Sequence, residues 1–329
     1  MKLTIGIPTY NGASRIKDTL DSILIQFNHN ICDKVDILIS DNGSTDETKS
    51  IVDQYKKKSN IKLSYIRHES NIGFDKNVDS LFHHASGDYV WTLADDDTLR
   101  PNALRRVIQS LEQDSLNVIL VNFIAFDKDM KYVQDVVPLS HDSVYRNPED
   151  FLKSAKSKYS LVSSLIFRRK SWLGISINPG IGSNFIHVYS LFSILPQGAS
   201  KIISEPLINY RKDSENFGTS TQSVLNISFS AGRVILLMKN LGYKNTIINW
   251  LLHETEDYIH RLVIKLKIEG LNNRDEVVKN LLEIYPTPKT IIKIIPILYI
   301  PDKLFKNIYY FRNKISQKLK IIEAKIFNK

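Results

Sequence analysis

The chain has one cysteine, Cys32, among 329 residues. An internal disulfide is therefore impossible and a zinc–thiolate site is excluded, which fits a reducing compartment. Long hydrophobic runs are also missing. No stretch approaches the roughly 18–20 uninterrupted apolar residues of a spanning helix. The first residues, Met1 to Pro8, carry too short an apolar run for a signal peptide and read as a strand. These absences lead us to expect a soluble, cytoplasmic protein. Glycine is sparse where nucleotide-binding folds need it. After the first strand comes Pro8-Thr9-Tyr10-Asn11-Gly12, which lacks the second and third glycines of a dinucleotide fingerprint, and a Walker lysine is missing too. An NAD site and a P-loop ATPase are both disfavoured. Acidic residues are scarce at one end only. Between Thr287 and Lys329 there are ten Lys/Arg against Asp302 and Glu323, although the whole chain carries just +9. A basic tail on a nearly neutral body suggests contact with an acidic surface. It has no motif for reading bases, so a nucleic-acid partner is not expected.

The 43% apolar and 24% charged fractions are those of a globular protein. Strand and helix signals alternate through the first third. Leu3–Thr9, Val35–Ser40, Lys62–Ile66, Asp88–Leu93 and Val118–Phe126 read as strands. Arg15–Phe27, Thr45–Lys57, Phe74–His84 and Asn102–Gln113 read as helices. Such alternation predicts an α/β fold with a mostly parallel, Rossmann-like sheet flanked by helices. From about residue 223 the pattern turns helical, so a domain at 1–222 and a helical region at 223–329 are expected. Leu304, Ile308, Phe311, Ile315, Leu319, Ile322 and Ile326 then form one apolar stripe among lysines. That stripe suits either packing against the body or resting on anionic lipid.

Open parallel sheets bind ligands outside the carboxyl ends of their strands. Three polar strand ends fall there: Pro8-Thr9-Tyr10-Asn11, Asp41-Asn42-Gly43-Ser44 and Asp95-Asp96-Asp97. Asp41 could accept a hydrogen bond from an N–H on a base edge. The three adjacent carboxylates could hold Mn²⁺ or Mg²⁺ bridging a diphosphate, because such ions need few protein carboxylates when phosphates supply the other oxygens. A polar strand-to-helix turn is the plainer alternative.

Four segments occur in order: Ile5 to Asn11, Ser40-Asp41-Asn42-Gly43-Ser44-Thr45-Asp46-Glu47-Thr48, Asn71-Ile72-Gly73-Phe74-Asp75-Lys76-Asn77, and Gly87-Asp88-Tyr89 through Pro101. Together they resemble the motifs of family 2 glycosyltransferases with the GT-A fold. Tyr159 to Arg169, Ile181 to Tyr189 and Ile203 to Arg211 are similar to bacterial abequosyltransferase-type enzymes, which build O-antigen units on a lipid carrier. The resemblance implies inverting, metal-dependent transfer of a sugar from a nucleotide-sugar donor to a lipid-linked glycan acceptor. With the basic tail, it implies peripheral association with the inner face of the membrane. A non-catalytic nucleotide-sugar or glycan-binding member of the family is the alternative.

Carried over by position, Pro8, Thr9 and Tyr10 line the base and ribose, Asp41 binds the base, and Asn71, Gly73 and Lys76 sit beside the nucleotide. The family's acidic motif is usually D-x-D, and its first aspartate falls on Ala94. Asp96 becomes the expected metal ligand and catalytic carboxylate, with Asp97 as a second ligand and Asp95 in support. Arg211 is a candidate to neutralise the leaving diphosphate. Where many relatives carry an acidic pair, this chain has Ile186-His187. His187 is therefore the candidate general base, its ordinary pKa of about 6.5 suiting the task; a structural histidine is the alternative. Asp88 and Asp213 are the reserves, and His83 and His84 receive no role.

Overall fold

The computed structural model describes residues 1–58, 61–113, 115–127, 132–135, 141–212 and 220–310. Asp213 and the tail beyond residue 310 lie outside the described residues. The chain divides into two compact units, Met1–Phe217 with Leu237–Tyr243, and Gly218–Leu236 with Lys244–Lys329.

The first unit is built on a ten-stranded sheet. Its strands are β1 (Leu3–Thr9), β2 (Val35–Asp41), β3 (Leu63–Arg67), β4 (Tyr89–Thr92), β5 (Thr98–Leu99), β6 (Val118–Phe126), β7 (Tyr132–Asp135), β8 (Ser143–Tyr145), β9 (Leu165–Arg168) and β10 (Ser200–Arg211). They run in the order β3-β2-β1-β4-β9-β6-β10-β5, with β7 beside β6 and β8 beside β10. Strands β1, β2 and β4 are buried at every residue. Both of their faces are therefore covered, and even the polar Thr4, Asp36 and Ser40 are buried.

Strand β1 pairs in parallel with β2 on one side and β4 on the other. The chain order reverses at that point, so a crevice opens beyond the carboxyl ends of β1 and β4. The turn at Tyr10–Gly12 and the acidic turn at Asp95–Asp97 leave the sheet side by side there. The sheet departs from simple parallel winding beyond β4. Strand β9 enters antiparallel between β4 and β6, and the tiny β5, which sequence patterning does not suggest, pairs antiparallel with β10. Through β5, Asp95–Asp97 becomes the first half of a pinned excursion instead of a direct passage into the helix Ala103–Gln113. The long strand β10 is continuous over Ser200–Arg211, and its register shifts between Ile203 and Ile208 around Pro206. A proline cannot donate to the ladder, so a bulge there is expected.

The second unit is helical, with Thr221–Leu237, Asn245–Glu269 and Arg274–Ile284 followed by a shorter helical run ending at Tyr299. Its interior holds a polar knot in which the buried Glu256 accepts from Thr287 and Thr290, and His260 Nε2 lies 2.8 Å from Thr290 Oγ1.

Candidate active site

The turns at the strand ends are stitched together before any ligand is considered. Asn11 N–H donates to Ser44 Oγ at 2.9 Å, Gly12 N–H to Thr48 Oγ1 at 2.9 Å and Ala13 N–H to Asp46 Oδ2 at 3.0 Å. In return, Thr45 N–H donates to Asn11 Oδ1 at 2.9 Å. Much of the polar run from Ser44 to Thr48 is thus structural: its side chains satisfy the backbone donors of the turn after β1. Gly43, at φ +79°, lets the backbone of Ser70 approach where any Cβ would lie 2.8 Å from Ser70 C.

The acidic turn is gripped at both outer carboxylates. Asp95 Oδ2 accepts from Thr9 Oγ1 at 2.5 Å and from Arg15 Nη2 at 3.3 Å. Asp97 Oδ2 accepts from Ser163 Oγ at 2.5 Å, and its Oδ1 accepts from the Arg211 N–H at 2.9 Å. The Asp97 carbonyl accepts from Thr19 Oγ1 at 2.8 Å. Ser163 joins these parts: its hydroxyl also accepts from Ala94 N–H at 2.9 Å, and its carbonyl takes Trp91 Nε1–H at 2.8 Å. Gly12 closes the other side. A Cβ on it would fall 2.3 Å from Thr9 Oγ1 and 2.4 Å from Asp95 Oδ2.

All three carboxylates are buried. Burial pushes the Asp95 carboxyl up, the Arg15 guanidinium pulls it back, and the Asp96 charge raises it again. Burial and then the Asp96 charge push Asp97 well above the usual carboxylate range, against the pull of Ser163 and Arg211. The negative charge of Asp96 is therefore felt by both neighbours, and a cation beside it would relieve both. Among the described residues no group of three or more His, Cys, Asp or Glu side chains converges as a self-sufficient metal cage. The reason is visible: Asp95 and Asp97 are turned onto protein donors. One carboxylate with a diphosphate is a donor set that Mg²⁺ or Mn²⁺ accepts, so the residues present fit such an ion.

The other sequence-predicted residues are distributed as follows. Pro8 and Thr9 are buried within β1, and the Thr9 hydroxyl is committed to Asp95; only Tyr10 of that trio is exposed. Asp41 is buried at the end of β2, accepting from Ser44 N–H at 2.8 Å and from the Tyr65 hydroxyl, with Arg67 Nε 3.9 Å away. Asn71, Gly73 and Lys76 are exposed. The Asn71 loop is tied to the end of β2 by Asn42, which donates to Asn71 Oδ1 at 2.9 Å and accepts from Ile72 N–H at 2.8 Å. Arg211 places its guanidinium on Asp18 at 2.8 Å, while its Nε is buried without a hydrogen-bond partner.

His187 lies in the first turn of the helix Ile186–Ile194 and is buried. That helix start is anchored by Asp75, whose carboxylate accepts from Asn184 N–H at 3.0 Å and Ile186 N–H at 3.1 Å. His187 Nε2 faces the Ser160 carbonyl at 2.9 Å, so Nε2 carries the proton and Nδ1 presents the lone pair. Nδ1 has no hydrogen-bond partner. Burial pushes the imidazole down to about 4, and the Ser160 carbonyl offsets this in part. Of the reserve bases, Asp88 sits exposed at the opposite end of β4 from the acidic turn, accepting from Lys2 N–H, and is out of reach of this crevice. Asp213 falls outside the described residues. Sequence reasoning missed Arg15, Thr19, Tyr65 and the linking role of Ser163. A spacing rule could not have found them, since the bond from Ser163 to Asp97 spans 66 residues and that from Thr9 to Asp95 spans 86.

Comparison with known proteins gives this geometry a family. An abequosyltransferase of Salmonella typhimurium is 26% identical over 276 residues, covering 77% of this chain and 81% of its own. A poly(ribitol-phosphate) beta-N-acetylglucosaminyltransferase of Staphylococcus aureus, TarS, is 27% identical over 37% of this chain and 21% of its own. The crystal structure of TarS residues 1–349 with UDP-GlcNAc superposes with a TM-score of 0.67 at 17% identity, over 93% of this chain and 88% of that one. A Pyrobaculum calidifontis mannosyltransferase in complex with GDP-Man and Mn²⁺ superposes with a TM-score of 0.56 at 17% identity, over 93% and 83%. The family model described as Glycosyl transferase family 2 matches residues 4–173, more than half of the chain. The chain belongs to family 2 of the glycosyltransferases, and it is a glycosyltransferase with the GT-A fold and a helical C-terminal region.

Proposed function

We propose that this enzyme transfers a sugar, with inversion, from a nucleotide-sugar donor to a lipid-linked glycan acceptor in surface polysaccharide or O-antigen synthesis. The observation that carries the reading is the double grip on the acidic turn. Thr9 and Arg15 hold Asp95, and Ser163 and the Arg211 N–H hold Asp97, which fixes the turn beyond the carboxyl ends of β1 and β4; the Asp96 carboxylate between them would meet a donor diphosphate there. Residues 1–222 would form the donor-binding and catalytic domain, with 223–329 as its helical extension.

Asp41, oriented by Ser44 N–H and the Tyr65 hydroxyl, would meet the base, and Tyr10 would cover the nucleotide from the solvent side. The loop of Asn71, Gly73 and Lys76 would close against it. Mn²⁺ or Mg²⁺ at Asp96, with Asp97 behind it, would neutralise the charge that develops on the departing nucleoside diphosphate. Arg211, whose backbone N–H holds Asp97 and whose guanidinium rests on Asp18, would add to that by turning toward the diphosphate. His187 would accept the acceptor's proton at Nδ1 as the hydroxyl attacks the anomeric carbon. The unpartnered Nδ1 lone pair supports that role, while burial, by lowering the pKa to about 4, makes this imidazole a weaker base than an ordinary one. The donors named for the S. aureus and Pyrobaculum structures and the activity named for the Salmonella relative support the substrate class. The basic tail would bring the enzyme to the inner face of the membrane, where a lipid-linked acceptor resides.

A panel of nucleotide sugars with Mn²⁺, read as nucleoside diphosphate release, tests this reading. Release on one donor class that EDTA abolishes is expected. Metal-independent release, or donor binding without transfer to any acceptor pool, would contradict it.

A further inference from the structure

The second unit carries an apolar surface that its own core does not use. In the helical run ending at Tyr299, Thr290, Ile294 and Leu298 are buried, four residues apart on one face. The opposite face should then be polar, as on any surface helix. Instead it presents Ile292, Pro296 and Tyr299, with Ile291 at its edge. After Pro301 the pattern repeats over 302–310. Phe305 is buried, while Leu304 and Ile308, one turn apart, and Tyr310 point outward. The six large apolar side chains Ile291, Ile292, Tyr299, Leu304, Ile308 and Tyr310 are 47% to 71% exposed. Single exposed apolar residues are ordinary, but a run of six within twenty residues marks an interaction surface.

The charges around it choose the partner. Lys293 and Lys303 are exposed within the run, and Lys306 is half-buried. The neighbouring acids are answered from within the unit: Asp302 by the buried Lys267, and Asp257 by Lys289. The surface is thus apolar with a positive fringe and two tyrosines. That is the composition of a helix lying in the headgroup layer of an anionic bilayer, with aromatic rings at the interface and lysines over the phosphates. We propose that residues 291–310 form a docking face for an anionic lipid bilayer. This deepens the membrane reading above and rests on it. It places the anchor on a folded surface ahead of the basic tail, so that two elements share the attachment, as stable peripheral binding generally requires.

The test uses the full chain and flotation with vesicles of phosphatidylcholine, with or without phosphatidylglycerol. The wild type should float with the anionic vesicles and not with the neutral ones. Combined Ile291→Asp, Ile292→Asp and Leu304→Asp substitutions should weaken that binding roughly tenfold or more, since each removes an apolar side chain from the interface and adds a repelled charge. The melting curve and soluble nucleoside diphosphate release should be unchanged, because all three side chains are exposed. If the triple variant floats like the wild type while Lys318→Glu with Lys320→Glu abolishes binding, the tail alone is the anchor and the docking face is wrong. Should the wild type bind neither vesicle, this proposal and the membrane reading both fall. A wild-type dimer in light scattering that the triple variant loses would mean that a second copy covers the face, and would overturn the proposal.

Discussion

The assignment of His187 makes a joint claim about stability and rate that one substitution can examine. In the folded protein its pKa is pushed down to about 4 from 6.5 by burial. In the unfolded chain it returns to its ordinary value, so between those two pH values the unfolded state binds more protons. Stability must then rise with pH across that window. The neutral ring's contribution is fully present above 6.5 and lost as pH falls through the folded value near 4. The difference of about 2.5 pH units corresponds to about 3 kcal/mol. His187→Gln keeps a donor for the Ser160 carbonyl but cannot titrate. Urea unfolding of the two proteins at intervals from pH 4 to pH 8 should therefore show a shallower loss of stability on acidification in the variant, by about that amount. On the kinetic side, the neutral base is already present at any pH above about 4. The acid limb of wild-type kcat/KM attributable to His187 should lie near there, and His187→Gln should lower turnover by roughly 10²–10⁴-fold with donor affinity kept. Parallel stability curves would refute the burial argument. Wild-type turnover in the variant would refute the catalytic one.

Three other substitutions address the architecture of the site. Ser163→Ala leaves Ala94 N–H and Asp97 Oδ2 without their partner, and should cost about 1–3 kcal/mol in urea unfolding and weaken donor binding by calorimetry. Gly12→Ala drives a methyl into the Thr9–Asp95 pair, so a loss of about 1–3 kcal/mol is expected. Asp75→Asn removes the carboxylate that holds the start of the His187 helix. Its turnover should fall with little change in nucleotide affinity, because that carboxylate touches the helix start and not the β1–β4 crevice.

How far the sequence carried the account can be seen in particular residues. The helix Phe74–His84 and the strand Leu3–Thr9 are found with the bounds that their patterns suggest, because a helical stripe and a buried apolar run are local signals. The helix read from Thr45 begins at Thr48, since Ser44, Asp46 and Thr48 are occupied in tying down the turn after β1. The three carboxylates at Asp95–Asp97 were legible as a polar strand end and a candidate site. What was hidden is how Asp95 and Asp97 are held by protein donors. That depends on Arg15 and Ser163, which reach the turn only because β1 lies beside β4 and because β9 inserts next to β4. Strand order is a property of the whole chain, and no local pattern states it. The outward face of Leu304 and Ile308 is a similar case. Periodicity groups those two residues, whereas the burial of Phe305 beside them shows that they face outward.

The central claim is that Asp96 holds the metal that receives the donor diphosphate. It is tested most directly by titrating Mn²⁺ with nucleoside diphosphate into the wild type, Asp96→Asn and the remote control Asp88→Asn, following bound Mn²⁺ by electron paramagnetic resonance. The account predicts nucleotide-dependent Mn²⁺ binding in the wild type and in Asp88→Asn, and its loss in Asp96→Asn with the fold intact. Undiminished Mn²⁺ binding by Asp96→Asn would contradict it.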